Sequence, residues 1–152
     1  MTEPTTFPSQ SGRFGLPFLL VGQAQKEFFY NESIGKLDCL LHASVKGDQS
    51  GPPQNPVDGD CWIIASPAAG EWAGNDGMLA GWNGGKWFIC APTSGMRVFN
   101  QQDDCYWFYR DAWQRCEVPA QPVAGNVIDE EARASIFNLV AILRVAGVLP
   151  AQ

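Results

Sequence analysis

The stretch Gly22-Gln23-Ala24-Gln25-Lys26-Glu27, which continues through Asn31-Glu32 to Leu40-Leu41-His42, is the segment around which this chain is organised. Apolar side chains recur along it at spacings of four, three and four residues, which places them on one face of a helix. These side chains are Tyr30, Ile34, Leu37 and Leu41. Gly47 follows at a position that favours the end of a helix. The pattern predicts one long helix from Gly22 to Val45, about six turns in length.

The composition is that of an acidic, folded domain. The chain has 152 residues, of which 45% are hydrophobic and 17% charged, and 10 basic residues stand against 16 acidic ones. A chain of this length can bury a core without disulfides or metals. Because no cluster of lysines and arginines occurs, we predict no nucleic-acid partner. The N-terminus lacks the features of a signal peptide and the longest apolar run is short, so we expect synthesis in the cytoplasm without membrane insertion.

Short aromatic-rich segments separated by turn residues follow the first helix. The predicted strands are Cys61–Ala65, Met78–Trp82, Lys86–Cys90, Met96–Asn100, Cys105–Tyr109 and Trp113–Val118. Asn83-Gly84 is the strongest hairpin signal, and residues 82–92 and 109–119 echo each other as two similar hairpins. Asp129 is a predicted N-cap for a closing helix from Glu130 to about Ala146, ended by Gly147.

These elements predict an α+β fold with a long N-terminal helix, a central antiparallel β meander of short aromatic-rich strands, and a C-terminal helix. The chain is expected to divide into three parts. Residues 1–17 form an extended N-terminal arm, residues 18–118 the helix and meander, and residues 119–152 a linker with the closing helix.

Side chains suited to catalysis or metal binding are sparse. The five cysteines form no C-x-x-C pair, and we predict reduced, mostly buried thiols without a metal role. His42, the one histidine, lacks a nucleophile motif, so a solvated or capping role is preferred over catalysis. A hydrolase pair of carboxylates is the lesser alternative to ordinary turn-forming acids. Its candidates are Asp58, Asp60, Glu71, Asp76, Asp103 and Asp104.

The tryptophans permit two interpretations. Exposed Trp beside turn Asp and Asn can stack on the face of a sugar, whereas buried Trp fills the core of a thin sheet. We name Trp72, Trp82 and Trp113 as a candidate glycan platform. Trp72 is included because it lies in a glycine-rich loop, where strand packing does not explain it.

The closing helix carries a narrow apolar stripe that is typical of helix association. Ile136, Leu139 and Leu143 follow a/d spacing, and such a stripe is narrower than the buried face of most globular helices. Together with Ile34, Leu37 and Leu41 of the first helix they form a candidate oligomer seam. The spacing leaves the number of chains open, and a monomer whose closing helix folds onto its own sheet remains the alternative.

Several motifs together resemble an uncharacterised domain family. That family occurs in tail-fibre and host-specificity proteins of alphaproteobacterial phages, prophages and gene transfer agents. The similarity extends over roughly residues 16–118. The motifs are Leu16-Pro17-Phe18-Leu19, Gly22-Gln23-Ala24-Gln25-Lys26-Glu27, Asn31-Glu32, Leu37-Asp38, Pro56-Val57-Asp58-Gly59-Asp60, Gly70-Glu71-Trp72-Ala73-Gly74, Gly81-Trp82-Asn83-Gly84-Gly85-Lys86-Trp87, Pro92 and Gly95.

The resemblance implies a non-enzymatic structural and adhesion module in the tail of a virion or phage-like particle. It further implies a homotrimer that joins other tail or baseplate proteins, with host-surface polysaccharide as a further contact. The family has no established catalytic residues, and we expect no cofactor. A small carbohydrate-binding module is the first alternative, and a polysaccharide hydrolase ranks below it.

Overall fold

The computed structural model describes residues 9–20, 22, 26–120 and 129–150. Within these ranges the chain forms two α-helices, eight strands and one short 3₁₀ turn at Gly70–Trp72. The elements in order are α1 (Lys26–Leu40), β1 (Ser44–Val45), β2 (Asp48–Gln49), β3 (Cys61–Ile64), β4 (Leu79–Asn83), β5 (Lys86–Cys90), β6 (Arg97–Asn100), β7 (Cys105–Tyr109), β8 (Trp113–Arg115) and α2 (Glu130–Val145).

The strands form two sheets of mixed direction, so the prediction of one antiparallel meander is wrong. The first sheet has the order β1-β6-β7-β8 and the second the order β2-β3-β4-β5. The pairs β1–β6 and β2–β3 are parallel, and the other neighbours are antiparallel. The chain changes sheet between β1 and β2, which have two residues each and are too short to show a period in the sequence. The class is still α+β overall.

The two hairpins predicted from the sequence are present. β4 and β5 pair over five positions and are joined by Gly84-Gly85, which have φ values of 58° and 77°. A two-residue loop of this kind requires positive φ at both positions, which glycine adopts without strain. β7 and β8 form the second hairpin around residues 110–112.

The first helix is shorter than predicted. α1 spans Lys26–Leu40 and ends five residues before the predicted Val45, and Gly47 is not its C-cap. The predicted helical residues 23–25 lie outside the described ranges. Instead His42 adopts the left-handed conformation with φ 47°, and the guanidinium of Arg13 binds the terminal carbonyl groups. Its donor distances are 3.1 Å to Asp38 O, 3.1 Å to Cys39 O and 2.9 Å to His42 O. A cation on these carbonyls stabilises a helix end, and it comes from a residue that the local pattern does not include.

The N-terminal segment from residue 9 to residue 20 packs on α1 through buried polar side chains. Asp38 accepts hydrogen bonds from the Ser11 hydroxyl and from the backbone N–H groups of Arg13 and Phe14. Asn31 exchanges two hydrogen bonds with the backbone of Leu19. The predicted arm is therefore held in place over these residues, and its part before residue 9 lies outside the described ranges.

The core lies between the two sheets and on the outer side of the second. One cluster packs α1 and both sheets together and contains Cys39, Val45, Cys61, Ile63, Leu79, Cys90 and Val98. The other contains Trp62, Ile64, Trp72 and Ala80. All five cysteines are free thiols and four of them are buried, as the sequence predicted.

The observed ends of the closing helix agree with the predicted ones to within one residue. Asp129 Oδ1 accepts a hydrogen bond from the N–H of Ala132 at 2.9 Å, which is the geometry of an N-cap. Gly147 follows the last turn with φ 68°. The O of Gly147 accepts the N–H of Tyr106 at 2.6 Å, so this end of α2 is fixed to the first sheet.

Candidate interaction surfaces

The outward face of α1 is apolar, although its inward face is not. The helix buries Asn31, Gly35, Asp38 and Cys39. Its predicted apolar stripe points away from the core. We define the α1 outer surface as the large apolar side chains that α1 and its C-terminal turn expose. They are Phe29, Tyr30, Leu37 and Leu41, while the partly exposed Phe28 lies on the side of α1 that faces β5.

Close packing explains why the small and polar face of α1 is the buried one. A Cβ on Gly35 would lie 2.8 Å from the ring of Phe88 in β5, so the helix approaches the sheet at a position without a side chain. The neighbour at this position is thus an aromatic ring. Asn31 and Asp38 bind the N-terminal segment, so the polar side of α1 makes its contacts within the chain.

Charged groups border the α1 outer surface. Lys36 Nζ pairs with Glu32 Oε1 at 2.7 Å, one turn apart on the helix. This hydrogen bond lowers the pKa of Glu32 and raises the pKa of Lys36. Lys86 of β5 places its ammonium group 4.5 Å from the centre of the Phe28 ring, and burial lowers its pKa. The apolar surface therefore has a charged rim, as protein interfaces commonly do.

The second apolar surface consists of exposed side chains of α2. No residue of α2 is buried, and Leu139 and Val145 are 57% and 92% exposed. We define the α2 surface as the exposed large apolar side chains of that helix. They are Ile136, Phe137, Leu139, Ile142 and Val145. A groove of about 330 Å³ separates α2 from the segment 118–120.

Four of the six residues of the predicted oligomer seam belong to these two surfaces. Leu37, Leu41, Ile136 and Leu139 are exposed, and Ile34 and Leu143 are half-buried. Each helix therefore exposes two of its three seam residues, and the seam itself stays a prediction.

The predicted glycan platform is not assembled as proposed. Trp72 is 0% exposed, and its ring packs edge-on against Trp87 at 4.9 Å, so the prediction of an open face there is wrong. The loop carrying Trp72 folds over the second sheet and supplies that side of its core. Trp82 lies half-buried in this sheet, while Trp113 lies half-buried in the first sheet and donates Nε1–H to Gly77 O.

Most of the candidate acids serve turns, as the sequence indicated. Asp58, Asp60 and Asp76 accept backbone hydrogen bonds from Gly84, Val57 and Ala68 respectively. Asp103 binds Trp107 Nε1 and pairs with Arg115 at 2.8 Å. In the part of the chain that the structure describes, no group of three or more His, Cys, Asp or Glu residues could hold a metal. Neither described helix is long and apolar enough to cross a membrane.

One feature that the sequence reasoning missed is a groove beside the C-terminal end of α1. His42, Ala43, Arg97, Phe99 and Tyr106 line it, and its volume is about 530 Å³. The available signal was the two-residue period of a strand, since Arg97, Phe99 and Tyr106 are more exposed than the buried residues Val98, Asn100 and Cys105 next to them. The sequence did not predict that His42 lies beside these three residues, because its position depends on where α1 ends.

The comparison with protein families gives one match. A family model described as "Protein of unknown function (DUF2793)" matches residues 30–114, which is more than half of the chain. The matched range includes most of α1 and nearly all of both sheets, and α2 lies beyond it. No curated protein matches the chain.

Proposed function

We propose that this chain, which belongs to the DUF2793 family, is a non-enzymatic structural and adhesion module of a phage-like tail fibre that assembles with copies of itself through its helices. The observation that carries the proposal is the reversed polarity of α1, whose polar and small side chains are buried while its apolar stripe is exposed. Contiguous exposed apolar surface of this kind marks interaction sites.

The α2 surface supports the same proposal. A helix of 16 residues is marginal in water by itself, and its stability normally comes from packing an apolar face. Its C-terminal turn is anchored to the first sheet through the hydrogen bond between Tyr106 N and Gly147 O. Burying each Leu- or Ile-sized side chain in a partner would contribute about 1.5–3 kcal/mol. Several such side chains per chain could offset an association cost of about 4–15 kcal/mol.

The setting and the number of copies come from the motif resemblance, in which Gly22-Gln23-Ala24-Gln25-Lys26-Glu27 is the most specific element. It supports a homotrimer in the tail of a virion or phage-like particle, built from chains made in the cytoplasm. Other tail or baseplate proteins are its proposed neighbours, and host-surface polysaccharide its proposed contact.

Light scattering after size exclusion tests the assembly. We expect three times the chain mass of 16.6 kDa at micromolar concentration. Leu139→Asp should shift the mass towards one chain, because each copy would otherwise bury an unpaired carboxylate at the interface. Ala134→Asp adds the same charge at an exposed position away from the seam and should leave the assembly intact. A wild-type mass near 16.6 kDa would remove the proposed trimer.

The tail location and the lack of enzymatic activity need separate tests. An antibody against the chain should detect it in particles purified from the source organism, and its absence from them would contradict the location. Incubation with capsular polysaccharide or peptidoglycan should release no products. Turnover that a single acidic substitution abolishes would instead establish the hydrolase alternative.

A small carbohydrate-binding module is the second candidate. Trp82 favours this candidate. Its half-buried ring lies 4.8 Å from the Trp87 ring, measured between ring centres. It also lies beside the turn in which the N–H of Gly84 donates to Asp58. A Trp82→Ala variant that loses binding on a glycan array would support this candidate. Retention of all binding by that variant would exclude Trp82 as the platform.

A further inference from the structure

We propose that the groove lined by His42, Arg97, Phe99 and Tyr106 binds a carboxylate-bearing sugar, such as a uronic-acid unit of an acidic polysaccharide. The inference names a ligand class for the adhesion module and rests on that proposed function for its biological setting. This groove contains none of the three tryptophans of the predicted glycan platform.

The floor of the groove is an aromatic pair on the outer face of the first sheet. Phe99 of β6 and Tyr106 of β7 are direct neighbours in the antiparallel register, with ring centres 5.3 Å apart in an edge-to-face arrangement. Tyr106 is 42% exposed, so part of its ring is open to a ligand. The apolar face of a pyranose can pack on such a ring, as aromatic side chains in binding sites commonly allow.

A close contact with the turn after α2 fixes the position of the Tyr106 ring. A Cβ on Gly147 would lie 3.3 Å from both the Phe99 and the Tyr106 rings, so only a glycine lets the turn approach this closely without displacement. The N–H of Tyr106 donates to the O of Gly147 at 2.6 Å. The aromatic floor is therefore held from one side before any ligand arrives, which lowers the entropy cost of binding.

Two cationic or ionisable side chains reach the same groove from different parts of the chain. The guanidinium carbon of Arg97 lies 5.8 Å from the centre of the Tyr106 ring. Among the described residues, no carboxylate forms an ion pair with Arg97 or His42. The planar guanidinium fork matches the geometry of a carboxylate, so Arg97 can bind one with two parallel hydrogen bonds.

His42 is held at the groove by contacts on its other sides. Its backbone adopts φ 47°, a conformation uncommon outside glycine, and its O accepts a hydrogen bond from Arg13. Its ring packs against Phe14 at 6.3 Å between ring centres. The imidazole can donate a hydrogen bond to a carboxylate, and it can donate one to a sugar hydroxyl or accept one from it.

Polar and acidic groups around the groove limit the ligand that fits. Gln101 donates Nε2–H to the hydroxyl of Ser44 at 2.9 Å, and Ser44 lies beside Phe99 in the parallel register. Asp104 lines a neighbouring depression that shares Phe99 and Tyr106, and Arg144 lines it too. Because both acidic and basic side chains lie near the groove, a ligand with one carboxylate per sugar ring fits it better than a nucleic acid. A polyphosphate needs a run of cations, and the chain carries a net charge of −6.

Isothermal titration calorimetry with trigalacturonic acid tests the proposal on the full chain. Trigalacturonic acid should bind saturably, and its fully methyl-esterified form, which has the same rings without the charge, should bind at least about tenfold more weakly. Equal affinity for the ester would overturn the role of the carboxylate. No binding of the acid, or a preference for single-stranded oligothymidylate, would overturn the ligand class.

Variants assign the binding to this groove. Arg97→Gln and Tyr106→Ala should each weaken binding by about tenfold, while Arg97→Lys, which keeps the charge but not the fork, should lose less. Lys26→Gln removes the same unit of charge from the exposed start of α1 and should change affinity less than about twofold. Circular dichroism verifies that each variant is folded. Equal losses in Arg97→Gln and Lys26→Gln would show non-specific charge attraction and overturn the proposal.

Light scattering on the same samples separates this inference from the proposed function. A monomer that binds trigalacturonic acid through Arg97 would support the proposed binding site and contradict the proposed trimer. A trimer that does not bind trigalacturonic acid would contradict the proposed binding site and leave the proposed assembly standing.

Discussion

The hydroxyl of Ser11 donates a 2.7 Å hydrogen bond to Oδ1 of Asp38, which lies 27 residues further along the chain. Asp38 is 1% exposed, and the backbone N–H groups of Arg13 and Phe14 donate to the same carboxylate. A buried carboxylate is costly unless it is hydrogen-bonded, and this one has three donors. The contact makes the N-terminal segment part of the fold and, through Arg13, also closes the C-terminal end of α1.

Asp38→Asn should lower the free energy of unfolding by about 2–4 kcal/mol. The amide offers one acceptor oxygen where the carboxylate offers two, and its NH₂ group would face a donor. Urea denaturation measures the change. The exposed Asp111 in the β7–β8 turn provides the control, since Asp111→Asn should stay within about 0.5 kcal/mol of wild type. Equal stability of the two variants would contradict the structural role of Asp38.

Gly35→Ala should destabilise the chain by about 1–3 kcal/mol, even though alanine is the better helix former. The added Cβ would lie 2.8 Å from the Phe88 ring, so either the ring or α1 must shift. Thermal unfolding measures the loss. Adding Phe88→Leu should cost less in the Gly35→Ala background than in wild type, because the smaller side chain relieves the contact. Simple additivity of the two changes would contradict the proposed clash.

Cys116 should be the thiol that reacts first with Ellman's reagent in the folded protein at about pH 8, because the thiolate is the reacting form and access is required. Cys39, Cys61, Cys90 and Cys105 are buried, whereas Cys116 is partly exposed. Burial raises the pKa of Cys90 to about 11, and it also raises the pKa of Cys105.

The Cys116→Ser variant should lose the fast phase of the reaction and keep the slow ones. All remaining thiols should react after denaturation in urea. Fast labelling of a second thiol in the native variant would show that the core opens more readily than the packing of both sheets indicates.

Asp76 should make the loop after β3 sensitive to acid. Hydrogen bonds from the Ser66 side chain and from the N–H of Ala68 lower the pKa of Asp76 below its ordinary value of 3.8. The stabilisation is therefore fully present above the unfolded-state value and is lost as the pH falls through the lower folded-state value.

Comparison with Asp76→Asn measures this dependence. The variant should be less stable than wild type in urea at about pH 7, and the difference should shrink towards about pH 2, where both carry a neutral side chain. A difference that stays constant over this range would show that the charge of Asp76 does not contribute.

Signals between neighbouring residues determined much of the secondary structure. The strands β5 and β7 have the bounds that their aromatic-rich segments and flanking turn residues predicted, and α2 begins at its Asp129 cap. These features depend on periodicity, hairpin loops and capping, which act over a few residues. The a/d spacing of the α2 seam was also visible in the sequence, and its use as an interface stays a prediction.

Tertiary structure decided what the local pattern could not contain. Arg13, which is 25 residues or more away in sequence, binds the carbonyl groups at the end of α1. Phe88 of β5 contacts the inner face of the same helix at Gly35. Trp72 is buried because its loop folds back over the second sheet. The sequence by itself thus determined the elements whose hydrogen bonds are local. Which faces were buried, and that His42 and Arg97 share a groove, depended on contacts between segments far apart in the chain.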